Sequence, residues 1–435
     1  MDFDRAREYV DSLLMFGMKL GLANMEALLD KLDHPEKGLE VIHVAGTNGK
    51  GSVTAALHSI LHRSGRKVGM YTSPHLFDVR ERMVVNGRKI SRDDFARIIQ
   101  TLKETSLEVE AITGAHPTYF EVLTAAALVH FREACVDTAV LEVGMGGRLD
   151  ATNAVSPAVT CITPVSLDHQ IHLGNTVEKI AAEKAGILKS GVPLYMGKQT
   201  PEAREVILDR ADDLGISARE LSIDFSAKIA GSSIDGLVFD YRDHKGVLKG
   251  LHSPLLGTHQ VDNLVLATAV ARGMGIDDRS IRIGLERLRW PARMQLADRD
   301  PVTVLDCSHN IAGMETLAAG MDLLFPYEGI NLLFACLEDR KPVQLLEPLR
   351  HRLVSVTFTQ IPDIKARAPH SMEEDVCFTG WGIQTRVIED PWEALLQVRK
   401  NTGDDQIALA TGSIYYVGPL WARWTGAEDT DEFPL

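Results

Sequence analysis

Short runs of consecutive apolar residues recur along the chain, and between them the apolar positions space out to every third or fourth residue. The first pattern marks strands buried on both faces, the second the helices that cover them. Strands are expected at 41–45, 67–72, 138–143, 159–163 and 193–196, which predicts an α/β fold with a mainly parallel sheet. Ser91-Arg92-Asp93-Asp94 is a helix start, with a hydroxyl cap and first-turn acids ahead of Phe95, Ile98, Ile99 and Leu102. Residues 217–253 break the rhythm. Alternating runs punctuated by Gly231, Gly236, Gly246 and Gly250 predict β-hairpins, a small β-sheet appended to the first unit. Helices are expected again at 259–273 and 279–288.

Arg289-Trp290-Pro291-Ala292-Arg293 reads as a boundary, because a fresh alternation starts after it. Strands are expected at 302–306, 331–336, 354–358 and 407–411, with helices at 311–324, 342–351 and 392–399. The expected division is 1–294, a phosphate-loop domain, and 295–435, a Rossmann-like α/β domain. A chain of 435 residues gives each a core of its own. Ligands in such folds lie at the carboxyl ends of the strands, so the chemistry is sought there.

Directly after the first strand, residues 45–52 read Ala-Gly-Thr-Asn-Gly-Lys-Gly-Ser. Glycines let backbone N–H groups close around a phosphate, and the following helix adds its positive dipole end. Lys50 reaches toward terminal phosphates, and Ser52 offers a hydroxyl to magnesium or a phosphate oxygen. The spacing departs from Walker A, and a tight strand–helix turn would use the same glycines. Ser73, in Thr72-Ser73-Pro74-His75, sits at the end of the second strand, where an ordinary turn is equally expected. Glu142 lies inside an apolar strand. Either it turns to water or a cation, most simply magnesium, compensates it. Gly144, Gly146 and Gly147 would let backbone approach a ligand, with Arg148 supplying positive charge. Lys184 lies on the helix that follows the Asp168-His169 pair. On a solvated face it is unremarkable; facing a cleft, desolvation would lower its pKa, make the amine nucleophilic and allow a carbamate to form. Asp306, ending a strand, suits a ribose hydroxyl. Arg293 at the boundary suits a terminal phosphate reached on domain closure.

The acidic balance, 60 Asp and Glu against 46 Lys and Arg, opposes nonspecific nucleic-acid binding, so an anionic substrate needs local positive charge. Five scattered cysteines without a C-x-x-C pair suggest a reducing compartment and no structural zinc. The acidic N-terminus is no signal peptide, and no apolar run spans a bilayer. A cytoplasmic protein without membrane or nucleic-acid partners is expected. Nothing resembling a heptad or a long apolar surface points beyond a monomer.

Taken in order, these pieces resemble the folylpolyglutamate synthase/dihydrofolate synthase family, within the amide ligases that include the muramyl ligases. The likeness is carried by the segments at 16–22, 46–52, 72–76, 119–121, 142–153, 168–169, 183–187, 290–293, 306–310 and 411–413. The resemblance implies ATP and two magnesium ions as cofactors. Asn48, Gly49, Lys50, Gly51 and Ser52 would hold the phosphates. Asn263, Arg293, Asp306, His309 and Asn310 would complete the nucleotide site. Ser73, Glu142, His169 and a carbamate on Lys184 would hold the metal. Thr118, Phe120, Glu121, Asp150, Ala151, Thr152 and Asn153 would lie near a pteroate-type substrate. The implied reaction joins L-glutamate to dihydropteroate and to reduced folates through an acyl phosphate; either activity alone, or a muramyl-type ligase, is the alternative. Two departures stand out: Cys307-Ser308 where Gly-Ala is commoner, and Ala292 where glycine is usual.

Overall fold

The structure is a computed structural model describing residues 1–435 except 18, 20, 363–365, 428–429 and 435. Met18 and Leu20 of the 16–22 segment therefore lie outside the described residues. Eight strands form the first sheet: β1 (Glu40–Ala45), β2 (Val68–Tyr71), β3 (Met83–Val85), β4 (Arg88–Lys89), β5 (Thr138–Glu142), β6 (Val159–Ile162), β7 (Leu194–Met196) and β8 (Ala218–Glu220). Their order is β4-β3-β2-β5-β1-β6-β7-β8. The run from β2 to β8 is parallel, and β3 and β4 extend it as an antiparallel edge. Strands β1, β2, β5 and β6 are buried along nearly their whole length because helices cover both faces. The expected cap at Ser91 is present: its hydroxyl accepts the Asp94 N–H, and Gly114 at φ +75° ends that helix, Arg92–Thr113.

The hairpin stretch divides. β8 joins the parallel sheet, while β9 (Phe225–Ser233), β10 (Gly236–Asp243) and β11 (Gly246–Ser253) make a separate antiparallel sheet. The last sheet contains β12 (Gln295–Arg299), β13 (Val302–Leu305), β14 (Gly329–Phe334), β15 (Leu353–Phe358), β16 (Gln384–Val387) and β17 (Gln406–Thr411), in the order β12-β13-β17-β14-β15-β16. All its pairings are parallel except that of β12, which continues from the linker and folds back on β13. Sequence periodicity did not reveal β12 or β16: both are short, polar edge strands, each paired on one side.

The chain finally returns to the first sheet. Lys89 N–H donates to Asp431 O (2.9 Å) and Phe433 N–H to Gly87 O (2.8 Å). The buried Arg80 guanidinium pairs with Asp431 at 2.5 Å, and the Phe433 ring packs edge-on against Trp290, centroids 6.0 Å apart. Among the described residues no helix is long and apolar enough to cross a membrane.

Candidate active site

Strand β1 is where the sheet order reverses, with β5 on one side and β6 on the other, so the loop after it opens into a crevice. Its glycines are demanded by packing as much as by any ligand. A Cβ on Gly46 would meet Thr163 Oγ1 at 1.8 Å, one on Gly49 would meet Asn263 Oδ1 at 2.3 Å, and one on Gly51 the Trp290 ring at 2.8 Å. Gly49, at φ +88°, precedes the helix Lys50–Arg63, which has no side-chain cap. The first N–H groups of that helix, on Lys50, Gly51 and Ser52, are thus presented to the crevice, the arrangement that binds an anion. The N–H groups of Thr47 and Asn48 are not available in the same way, since both donate to Pro164 O (2.9 and 3.4 Å). Lys50 folds back, donating to Thr47 O at 3.1 Å.

Glu142 ends β5 beside Val44 of β1. Its carboxylate is buried, accepts the Ser73 N–H at 3.2 Å, and lines the same cavity as the loop. Burial pushes its carboxyl above the ordinary value, against the pull of Lys50. Lys184 lies one turn beyond Ile180 on the helix Val177–Ala185, hence on its buried face. Its amine donates to Gly46 O at 2.6 Å, inside the crevice rather than in solvent. Burial, then the nearby charge of Lys50, brings its pKa down to about 7. Among the described residues no cluster of three or more His, Cys, Asp or Glu side chains is placed to hold a metal alone. One desolvated carboxylate beside hydroxyls and an uncapped helix end suits magnesium instead, which keeps waters and takes phosphate oxygens as ligands.

The opposite wall comes from the C-terminal sheet. Asn310 caps the helix Ile311–Leu324 and exchanges amide hydrogen bonds with Asn48 (3.2 and 3.5 Å). It also donates to Asp168 at 3.0 Å, and Arg340 does so at 3.1 Å. Burial raises the Asp168 carboxyl, but the charges of His169, His309 and Arg340 and the Asn310 bond outweigh it and hold the group below its usual range. Asp306 is occupied in this structure: its two oxygens accept Met294 N–H (2.8 Å) and Ser308 N–H (2.7 Å), tying the linker to the loop after β13. Arg293 rests over Trp290, 5.8 Å from the ring centroid, and lines the cavity. Asn263, over Gly49, donates to Gln260 Oε1 at 3.0 Å. Cys307 takes up no left-handed backbone, so its side chain is accommodated; Ala292 adopts φ +53°, which explains glycine as the usual residue there.

This crevice, about 220 Å³, adjoins a second cavity of about 480 Å³, and Ser73, Gly144, His169 and His309 line both. Thr118, Phe120, Glu121, Asp150 and Ala151 line the second cavity. Several of these are committed to local structure. Thr118 and Glu121 form a capping box on the helix Tyr119–Glu133, and Asp150, raised by burial, accepts from Met145 N–H (2.9 Å) and from Thr152. Thr152 and Asn153 do not reach the cavity. Thr152 is buried against His43, and Asn153 ties Arg148 O to Gly186 O. Arg148, expected to supply charge, instead pairs with Glu183 at 2.8 Å. Gly147 makes room for that helix: an added Cβ would meet Glu183 O at 2.7 Å.

Positive charge in the second cavity comes from Lys19, Arg82 and Arg340, and the two arginines were not expected there from the sequence. Arg82 is buried, bonds His75 Nδ1 at 3.0 Å and stacks on Tyr119, and no described carboxylate lies within ion-pair distance. Arg340 follows β14 in a charged post-strand cluster, the signal that drew attention to the other loops. Gln260 lies three residues before Asn263 on one helix face, a spacing visible in the sequence.

The Mur ligase middle domain description matches residues 44–271. The dihydrofolate synthase/folylpolyglutamate synthase of Bacillus subtilis is 33% identical over 434 residues, covering 97% of this chain and 99% of that protein. Among solved structures, Mycobacterium tuberculosis folylpolyglutamate synthase complexed with ADP superposes with a TM-score of 0.90 at 28% identity, covering 97% of this chain and 99% of the other. Escherichia coli FolC in complex with DHPP and ADP gives 0.87 at 27% identity, covering 99% of each.

Proposed function

Because this chain belongs to the folylpolyglutamate synthase/dihydrofolate synthase family of Mur-type ligases, we propose that it uses ATP to join L-glutamate to folate-type carboxylates, both dihydropteroate and reduced folates. The observation that carries this is the shared wall: an anion-binding helix end and an arginine-bearing cavity meet at Ser73 and His169. The relatives' complexes, one with ADP and one with DHPP and ADP, support a site that takes a nucleotide and a second small molecule together.

A carboxylate is a poor electrophile, and its charge repels the ATP tail. In the proposed reaction Arg82 steers the acid into the second cavity, while Lys50 and the open N–H groups of residues 50–52 hold the phosphates. The carboxylate oxygen attacks the terminal phosphorus, the bond to ADP breaks, and an acyl phosphate results. The amine of glutamate then adds to the acyl carbon, loses a proton, and phosphate departs with the C–O electron pair. Ser73, Glu142, His169 and a carbamate on Lys184 are the residues that would hold magnesium, which when bound neutralises phosphate charge. Arg293 and Asn263 border the nucleotide, and Asp306 reaches the ribose through its remaining lone pairs. The division into 1–294 and 295–435 is supported by an apolar cluster confined almost entirely to residues beyond 291. Acidic composition and five unpaired cysteines support a cytoplasmic setting, with a monomer as the working unit.

The test is ADP release with dihydropteroate, tetrahydrofolate or a muramyl nucleotide, each with and without L-glutamate. Glutamate-dependent release is expected with both pteroate acids and not with the muramyl nucleotide. Release with neither pteroate acid would sink the reading.

A further inference from the structure

One carboxylate bridges the two sheets at this site. Asp168 follows β6 and is buried, yet its partners come from both sheets. Oδ1 accepts the backbone N–H of His169 (2.9 Å) and the Arg340 guanidinium (3.1 Å). Oδ2 accepts the Asn310 amide (3.0 Å), with His309 Nε2 at 3.9 Å. His169 itself stands at φ +48°, a left-handed conformation that a histidine seldom adopts without support. The bond to Asp168 supplies that support. Asn310 meanwhile grips Asn48 in the phosphate loop and caps its own helix through Gly313 N–H (2.8 Å).

Withdrawal of the C-terminal sheet would strip Asp168 of Arg340 and Asn310 together. A buried carboxylate that loses both partners must rehydrate or turn, and among the described residues the first-sheet hydrogen bond left to it is the one shaping His169. The phosphate loop would lose Asn310 in the same movement. We propose that Asp168 is a positioning residue that transmits closure of the C-terminal domain to His169 and, through Asn310 and Asn48, to the phosphate loop. The reactive arrangement then exists only when the second domain has docked, which protects ATP and the acyl phosphate from water until the amine's side of the site is in place. The inference rests on the ligase reading for the identity of the reaction, but its evidence is the hydrogen-bond network between the two sheets.

The chain carries its own probes. Cys135 in the first domain and Cys377 in the second are exposed, and the other three cysteines are buried. A donor–acceptor pair on these two reports interdomain distance, and amide exchange at residues 166–173 reports the backbone around His169. In the parent, a nonhydrolysable ATP analogue with magnesium is expected to shift transfer efficiency and slow exchange at 168–170. Arg340→Met, a change at a side chain only 20% exposed, is expected to bind the analogue within about threefold of the parent by calorimetry, on the scale of one lost distant contact. Its exchange at 168–170 should stay fast. Asp168→Ala should behave alike, and the double variant should be no worse than the worse single, because both act through one bond. Parent-like protection of 168–170 in Arg340→Met would overturn the proposal, as would losses that simply add in the double variant. Should the parent release no glutamate-dependent ADP while these signals behave as stated, the ligase reading falls and the coupling stands.

Discussion

Lys184→Ala isolates the amine on which the proposed magnesium site depends. In water a lysine of pKa 10.5 is neutral for about one molecule in a thousand at pH 7.5. With the value brought down to about 7 by burial and by Lys50, about three-quarters of the molecules carry the free amine at that pH. CO2 adds only to the free amine, so the site raises the reactive fraction by roughly several hundredfold. The sign is definite: the folded pKa is lowered, so the reactive form is lost as pH falls through about 7. In 13C-labelled bicarbonate, a carbamate carbon resonance is expected in the parent, rising through that pH and absent from Lys184→Ala. Glutamate-dependent ADP release should fall at least about a hundredfold in the variant, the scale for losing a preorganised charge at a reacting centre. Melting close to the parent's would show the fold intact. A variant within about threefold of parent activity, or a carbamate midpoint above about 9, the range of an unperturbed lysine, would refute the reasoning.

Arg82→Met should raise KM for the pteroate acid about 10- to 100-fold, the worth of a charged hydrogen bond, and leave KM for ATP alone; an equal rise in both would count against an acid-binding role. Gly49→Ala combines φ +88° with a contact of 2.3 Å to Asn263, and the backbone conformation alone costs about 1–2 kcal/mol. A lowered Tm and lost ADP binding are expected, and an unchanged melt would disprove the packing argument. Thr118→Ala removes a helix cap worth about 1 kcal/mol, read as a lower urea midpoint. Should KM for the acid also move more than about threefold, the hydroxyl binds substrate as well as the helix end.

The buried parallel strands were legible because each is a short, largely apolar run, interrupted only by single residues such as His43 and Thr160, and the loops after them because polar residues cluster there. Lys184 was ambiguous in one dimension: a lysine four residues after Ile180 faces the core only if that face packs inward, which the sheet decides. The substrate-side group was the least legible. Thr118 and Glu121 carry the T-x-x-E spacing of a capping box, a signal that competes with a ligand role. Arg148 found Glu183 on the neighbouring helix, an encounter that no local pattern encodes. The glycines at 46, 49 and 51 were read for phosphate, whereas Thr163, Asn263 and Trp290 also require them small.

The returning segment at 431–433 lies beside the linker, with Phe433 against Trp290. The two halves of the molecule are therefore joined twice along one edge, like a door on paired hinges. Under the proposed closure, two attachments side by side would restrain twist and set the line through them as the axis of swing. Cutting the Arg80–Asp431 pin should loosen the second attachment without touching the Arg340–Asp168 latch.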